Sequence, residues 1–281
     1  MTIANISSSK RPSLSDRVML TAVDAARRAG IIQMNHFRNP AVRYTRLLHD
    51  VKLETDRLCE EAIVTAIRES FPDHTILAEE SGASPGSSDH TWIIDPLDGT
   101  VNFWHGLPFF CVSIACYRGG DPASQASASG SATLGKPVVG VIYLPFSEEM
   151  FVAMPGSGAF LNQKPIQVSP AEDAADVVVT VSFGKTPEMM QRMTRRLDDL
   201  LPRVRKARCL GAAAAELAYV AAGFLGGVAY EGLRRWDFAA GKIILEEAGG
   251  FFEATEIEPD LWKILAGIPP IHKSLASVPN P

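Results

Sequence analysis

The chain has 281 residues, 46% of them apolar and 21% charged, with a formal charge of −5. That is an ordinary globular composition, long enough to bury a substantial core as one large domain or two small ones. The acidic balance and the lack of a Lys/Arg block argue against a nucleic-acid footprint. No apolar run reaches membrane-spanning length, and the polar start MTIANISSSKRPS has no signal-peptide layout, so a cytoplasmic protein is expected. Four cysteines (Cys59, Cys111, Cys116, Cys209) form no CxxC pair and no zinc-finger spacing with the six histidines. The first three lie in apolar patterns and read as buried free thiols.

Residues 1 to about 12 read as a disordered tail, followed by one domain over 13–281 in two halves, about 13–165 and 166–281. From Ser13, apolar residues at helical spacing (Leu14, Val18, Ala22, Ala25, Ala29, Ile32) predict a helix capped by Ser13 or Ser15 and ending near His36–Pro40. A second helix is expected from Thr55, as cap, to Ser70, with Asp56 in its first turn where the helix dipole favours an acid. A short strand, Thr75–Ala78, delivers Glu79-Glu80-Ser81-Gly82. Strands follow at Phe110–Tyr117, Pro137–Leu144 and Met150–Met154, and residues 119–136 between the first two read as an exposed low-complexity loop. The second half alternates: strand Val177–Ser182, helix Pro187–Leu201, strand Arg205–Leu210, an Ala-rich helix over Gly211–Gly223 and strand Val228–Glu231. A last helix opens at Trp236-Asp237 and stops at Gly249-Gly250.

The chemistry concentrates in TWIIDPLDGTVNFWHGLPFF, residues 91–110. An apolar strand end (Trp92, Ile93, Ile94) runs into Asp95 and Asp98, with Pro96 between them to break a regular ladder. The two carboxylates therefore leave on an irregular turn where both can face one point. Gly99 permits close backbone approach, and its amide with that of Thr100 can be aimed at an anion. Acids beside phosphate-directed amides conflict unless a divalent cation lies between them. Each acid also has a plain local explanation: Asp-rich turn, loop start for Glu79, helix cap for Asp237. What Glu79, Asp95, Asp98 and Asp237 share is position, at strand ends and helix starts, where such folds gather active sites.

Together LAEESG, WIIDPLDGTVNF and WDFAAGKIILEEAGG resemble, in order and spacing, the three motifs of the inositol monophosphatase family. The resemblance runs from about Ser13 to Gly250. It implies a layered αβαβα sandwich of the α/β (α+β) class, usually a homodimer, and a Mg²⁺-dependent, lithium-sensitive phosphomonoesterase with two to three metals per site. By the same resemblance Glu79, Asp95 and the Leu97 carbonyl hold the first metal, and Asp95 bridges to a second held by Asp98 and Asp237. A third metal belongs near Glu79. Thr100, supported by Asp56, orients the attacking water, and Glu79 is the other possible base. The amides of Gly99 and Thr100 meet the phosphate, Asp98 is also a substrate-binding residue, and Glu231 and the Gly211-Ala212-Ala213 backbone correspond to polyol contacts. The expected substrate is a small phosphorylated polyol or sugar, inositol-1-phosphate first, with histidinol phosphate and fructose-1,6-bisphosphate as alternatives. The place of a lysine frequent in the family falls here on Thr45, flanked by Arg43 and Arg46. The segment before Asp237 is one residue shorter than in the animal enzymes.

Two rivals are weighed. A dehalogenase-type phosphatase uses a DxDGT nucleophile, but DPLDGT is one residue longer and leaves Glu79 and Asp237 without a role. A catalytically inactive binding homologue would have no reason to retain carboxylates that repel one another.

Overall fold

A computed structural model describes residues 12–39, 44–47, 50–120 and 134–276. The expected N-terminal tail and most of the 119–136 loop lie outside the described residues, as do Arg43 and the side chains of Thr45 and Arg46.

Helix α1 (Leu14–His36) starts at Ser13, whose hydroxyl accepts the Asp16 amide at 3.1 Å while Asp16 Oδ2 accepts the Ser13 amide at 3.0 Å. This reciprocal capping box satisfies two helix-end donors, and of the two serines it selects Ser13. A hairpin of β1 (Tyr44–Leu47) and β2 (Asp50–Leu53) follows, in a stretch the sequence left without regular structure. Helix α2 (Glu54–Ser70) begins at Leu53, not Thr55. Asp56 Oδ2 accepts the Leu53 amide at 2.6 Å, and the Thr55 hydroxyl meets His36 Nδ1 at 2.9 Å. Thr55 is thus a packing contact between α1 and α2, one residue inside the helix it was expected to cap.

Strands β3 (Thr75–Ala78), β4 (Gly82–Ser84), β5 (His90–Asp98), β6 (Cys111–Arg118), β7 (Lys136–Leu144), β8 (Glu149–Met154), β9 (Gly158–Leu161) and β10 (Lys164–Ile166) form one sheet, with the five-residue helix α3 (Thr100–Trp104) between β5 and β6. Its order is β10-β9-β8-β7-β6-β5-β3-β4, with β3 and β5 parallel and the other neighbours antiparallel. The second half supplies β11 (Val178–Val181), α4 (Pro187–Leu200), β12 (Lys206–Arg208), α5 (Ala213–Ala221), β13 (Gly227–Leu233), α6 (Arg235–Glu247), β14 (Phe251–Glu258), β15 (Leu261–Gly267) and α7 (Pro269–Ala276). Its five strands run β12-β11-β13-β15-β14. Strands β14 and β15 were not anticipated from the sequence. On β14 most side chains are exposed (FFEATEIE), so neither an apolar run nor clean alternation marks it.

The layers follow from which faces are apolar. Helices α1 and α2 cover one face of the large sheet through Val18, Ala22, Ile63 and Ile67 against Trp92, Ile94 and Ile114. Helices α5 and α6 fill the space between the two sheets, where Leu217, Phe238 and Ile244 meet Ile142, Phe151, Tyr230 and Ile264. Helix α4 and the start of α7 close the outer face of the small sheet through Met193, Leu200 and Ile271 against Val179, Ala229 and Leu265. The result is an αβαβα sandwich. Burying each of the larger side chains contributes about 1.5–3 kcal/mol, and the middle layer is closely packed because its helices are made of small residues. A Cβ on Gly241 of α6 would lie 2.7 Å from the Leu217 side chain of α5, so only glycine permits that approach.

Candidate active site and metal centre

The carboxylates gather where the ends of β3 and β5 meet the starts of α5 and α6. Along β5 the ladder to β6 pairs Asp95 with Ser113 and then Asp98 with Cys111, so Pro96 and Leu97 form a bulge. The expected irregular turn is therefore a break in register within a strand that continues to Asp98. Asp95 is 2% exposed, and its Oδ1 accepts the Leu97 amide at 3.0 Å. On the other side of the bulge, buried Gln33 of α1 donates to the Pro96 carbonyl at 2.8 Å and holds the loop from below.

Glu79 follows β3 directly, and its amide donates to the Ile94 carbonyl at 3.2 Å, tying it to β5. The turn it opens is clamped by a residue that sequence reasoning missed. Buried Glu60 of α2 accepts the Glu80 amide at 2.8 Å on one oxygen and the Ser81 amide at 2.9 Å on the other. Its sequence signal is faint: an acid on the apolar face of an amphipathic helix, one turn beyond Asp56.

Asp98 reaches into the second half of the chain, where its carboxylate accepts the amides of Ala213 at 3.2 Å and Ala214 at 2.7 Å, at the head of α5. A second missed residue orders that head: Glu216, almost fully buried, accepts the Gly211 amide at 2.9 Å and the Ala212 amide at 3.3 Å. Its other oxygen takes the Tyr230 hydroxyl, which also lies 3.3 Å from Thr180 Oγ1. Asn102 adds a further tie, donating to the carbonyls of Phe109 at 2.8 Å and Leu210 at 2.7 Å. Gly99, at φ +88°, leaves no room for a Cβ, which would stand 2.9 Å from the Phe109 carbonyl oxygen and 3.1 Å from Ala212 Cβ.

Asp237 is the third residue of α6, and its carboxylate accepts the Arg234 amide at 2.7 Å. Asp237 is therefore not the cap residue, which is Arg234, but the third-position acid that accepts the cap's amide, and this placement brings it beside the other acids.

Electrostatics ties these groups together. Burial pushes the Asp95 carboxyl well above the usual range, and Glu79, Asp98 and Asp237 push it further, in that order. Asp98 is raised to about 7 by burial, against the stabilising amides of α5. Asp237 is raised to about 7 by burial and then by Asp98, with Lys185 and Arg234 opposing. Four carboxylates close enough to resist one another's ionisation form a hard all-oxygen donor set that suits Mg²⁺ or Ca²⁺. Among the described residues no three acidic, Cys or His side chains already stand in a ligating arrangement, because Asp98 and Asp237 direct oxygens at backbone amides. The donor chemistry fits a divalent cation, and to hold one Asp98 and Asp237 would have to turn from those amides.

The other expected residues divide. Thr100 begins α3, and its hydroxyl donates to the Leu97 carbonyl at 2.9 Å, so two residues assigned to one centre are in contact. No hydrogen bond joins Thr100 to Asp56, whose carboxylate serves the start of α2. The Gly211-Ala212-Ala213 backbone lies against Asp98 and Gly99. Glu231 departs from expectation. On β13, Val228 and Tyr230 face α5 and α6, and strand alternation turns Glu231 with Ala229 toward α4, where Arg192 pairs with it at 2.5 Å. Its carboxylate is directed to the outer face of the small sheet, away from the polyol position expected for it.

The inositol monophosphatase family model matches residues 15–124 and 130–270. The chain is 40% identical over 233 residues to a protein of Pasteurella multocida named Nus factor SuhB, covering 82% of each. It is 38% identical over 251 residues to inositol monophosphatase 1 of Solanum lycopersicum, covering 85% of each. Among solved structures, the extragenic suppressor protein suhB of Bartonella henselae superposes with a TM-score of 0.81 at 34% identity, over 92% of this chain and 96% of that one.

Proposed function

The chain belongs to the inositol monophosphatase family, and from that membership and the grouping of its carboxylates we propose that it hydrolyses a small phosphate monoester of a polyol or sugar with the aid of Mg²⁺. The observation that carries the proposal is Asp95: a carboxylate 2% exposed whose nearest acidic neighbours, Glu79, Asp98 and Asp237, all oppose its charge. Such an arrangement is costly without a cation. In this reading Glu79, Asp95, Asp98, Asp237 and the Leu97 carbonyl would hold two to three Mg²⁺ ions.

Bound Mg²⁺ supplies Lewis-acid charge for the phosphoryl oxygens and makes a nucleophile available at neutral pH. The chain's own groups supply position. Gly99 brings the backbone of β5 and α3 close to the phosphate, and the amides of Gly99 and Thr100 donate to it. The Thr100 hydroxyl orients the attacking water from beside the Leu97 carbonyl, and Glu79 receives its proton. Gly211-Ala212-Ala213, held by Glu216, form the backbone edge that the alcohol portion meets. The enzyme works as a homodimer in the cytoplasm and is inhibited by lithium. Among the described residues, no helix is long and apolar enough to cross a membrane.

Phosphate release from inositol-1-phosphate, histidinol phosphate, fructose-1,6-bisphosphate and β-glycerophosphate, with Mg²⁺ and with EDTA, tests the proposal. Release with Mg²⁺ only, highest on inositol-1-phosphate, is expected. No release from any substrate would instead favour a binding homologue, a reading that the name Nus factor carried by a 40% identical relative keeps in view.

A further inference from the structure

Among the buried residues of α1, Gln33 is the one with a polar side chain. It is fully buried and continues the apolar stripe of Val18, Ala22, Ala26 and Ala29. A side-chain amide in such a place is costly unless both of its ends are bonded. One end is bonded: Nε2 donates to the Pro96 carbonyl at 2.8 Å. The other is not, for Gln33 Oε1 is buried and has no hydrogen-bond partner among the described residues. Turning the amide over would set its oxygen against the Pro96 carbonyl, acceptor against acceptor, so its orientation is fixed. An apolar side chain would leave no such orphan, and the amide is explained by what it holds.

Pro96 lies where β5 has left both neighbouring strands. The parallel ladder to β3 ends with Ile94 opposite Ala78, and the antiparallel ladder to β6 skips from Asp95 to Asp98. The Pro96 carbonyl therefore has no partner in either ladder, and Gln33 supplies one. The same peptide unit carries the Leu97 amide, which donates to Asp95 Oδ1 at 3.0 Å. Gln33 and Asp95 thus grip the two ends of one planar group. The bonds run in series, Gln33 N–H to Pro96 C=O and then Leu97 N–H to the Asp95 carboxylate. Hydrogen bonds in series polarise one another, so the first strengthens the donor that faces Asp95. The next carbonyl along the chain, that of Leu97, is held in turn by the Thr100 hydroxyl at 2.9 Å. Gln33 is itself anchored, because α1 is tied to α2 on either side of it. Cys59 Sγ lies 3.5 Å from the Ala29 carbonyl, and His36 Nδ1 lies 2.9 Å from the Thr55 hydroxyl.

We propose that Gln33 is a positioning residue for the carboxylate centre: through the Pro96–Leu97 peptide it fixes the Asp95 carboxylate and the direction of the Leu97 carbonyl. It acts through the bulge and not by ligation. Its consequence for metal affinity rests on the proposed Mg²⁺ reading, whereas the clamp on the peptide does not.

Two measurements on the whole protein test this, one without metal and one with it. In metal-free protein, hydrogen exchange read by NMR should find the Leu97 amide protected, and Gln33→Met should speed its exchange by about tenfold or more. With Mn²⁺ in place of Mg²⁺, a titration followed by electron paramagnetic resonance should show binding about ten to a hundred times weaker in Gln33→Met. Methionine matches glutamine in length and removes the unbonded Oε1 together with the donor, so Tm should stay close to wild type. Gln33→Glu is the rescue. In an apolar interior its carboxyl stays protonated and donates one O–H to the Pro96 carbonyl, so exchange and Mn²⁺ affinity should both return toward wild type. A glutamine that served packing alone would give the reverse, a lowered Tm with Mn²⁺ affinity intact. Unchanged Leu97 exchange in Gln33→Met, or unchanged Mn²⁺ affinity where wild type binds the ion, would overturn the proposal. A wild type that binds no Mn²⁺ removes the metal reading instead, and Leu97 exchange then decides for or against the clamp. Gln33→Asn, too short to reach the carbonyl, gives the same comparison should Gln33→Met fail to fold.

Discussion

Asp98, at the end of a strand in the first half of the chain, accepts the amide of Ala214, at the head of a helix in the second half, at 2.7 Å. This contact joins the halves at the carboxylate cluster. The helix head is in turn fixed by Glu216, so the position of Asp98 depends on a residue that touches none of the reacting groups.

Replacing Glu216 with Ala leaves the Gly211 and Ala212 amides and the Tyr230 hydroxyl without their acceptor. Unfolding should become easier by about 1–3 kcal/mol, the cost of unsatisfied buried groups. Glu216→Gln, which keeps one acceptor oxygen, should lose less. Urea denaturation of both variants measures the difference, and equal stability of Glu216→Ala and wild type would remove the assigned role.

Glu60 is expected to act through the turn that carries Glu79. Glu60→Ala should fold but require about ten to a hundred times more Mg²⁺ for half-maximal activity, the usual effect of losing a group that orients a ligand. The Mg²⁺ dependence of phosphate release checks this, and an unaltered dependence would separate Glu60 from the metal centre.

At Gly99 the left-handed backbone and the neighbouring Phe109 carbonyl both oppose a side chain. Gly99→Ala should cost about 1–3 kcal/mol in strain and abolish turnover by displacing the Asp98–Thr100 loop. Thermal melting read beside the activity assay tests both halves of the statement.

The two acids raised to about 7 give a pH dependence of definite sign. In the unfolded chain such carboxyls titrate near about 4. Their folded values are higher, so the metal-free protein binds more protons than the unfolded chain between those limits, and its stability falls as pH rises from about 4 to about 7. A cation that neutralises them reverses the loss. Mg²⁺ should therefore raise Tm strongly at pH 8 and little at pH 5. Equal shifts at both would contradict the raised values.

Local patterns made the polar-and-apolar plan of the fold legible. Ser13 marks the start of α1, the apolar run before Asp95 marks β5, and Gly249-Gly250 mark the end of α6, because caps and buried strands leave signals within a few residues. Glu79, Asp95, Asp98 and Asp237, the acids proposed to hold metal, were singled out by motif order. Glu60 and Glu216 were not, since each serves backbone amides that only the tertiary fold brings near. The direction of Glu231 was equally hidden. The bulge between Glu231 and Leu233 and the pairing with Arg192 are products of sheet register, which a one-residue difference in spacing can alter. The solvent-facing β14 carried too little pattern to be seen.

The most direct test of the central claim is anomalous scattering from Mn²⁺ soaked into crystals of the protein in place of Mg²⁺. Strong peaks bounded by Glu79, Asp95, Asp98 and Asp237, and lost in Asp95→Asn crystals of the same fold, are the predicted result. A map without metal at those carboxylates, or with unchanged peaks in Asp95→Asn, would contradict it.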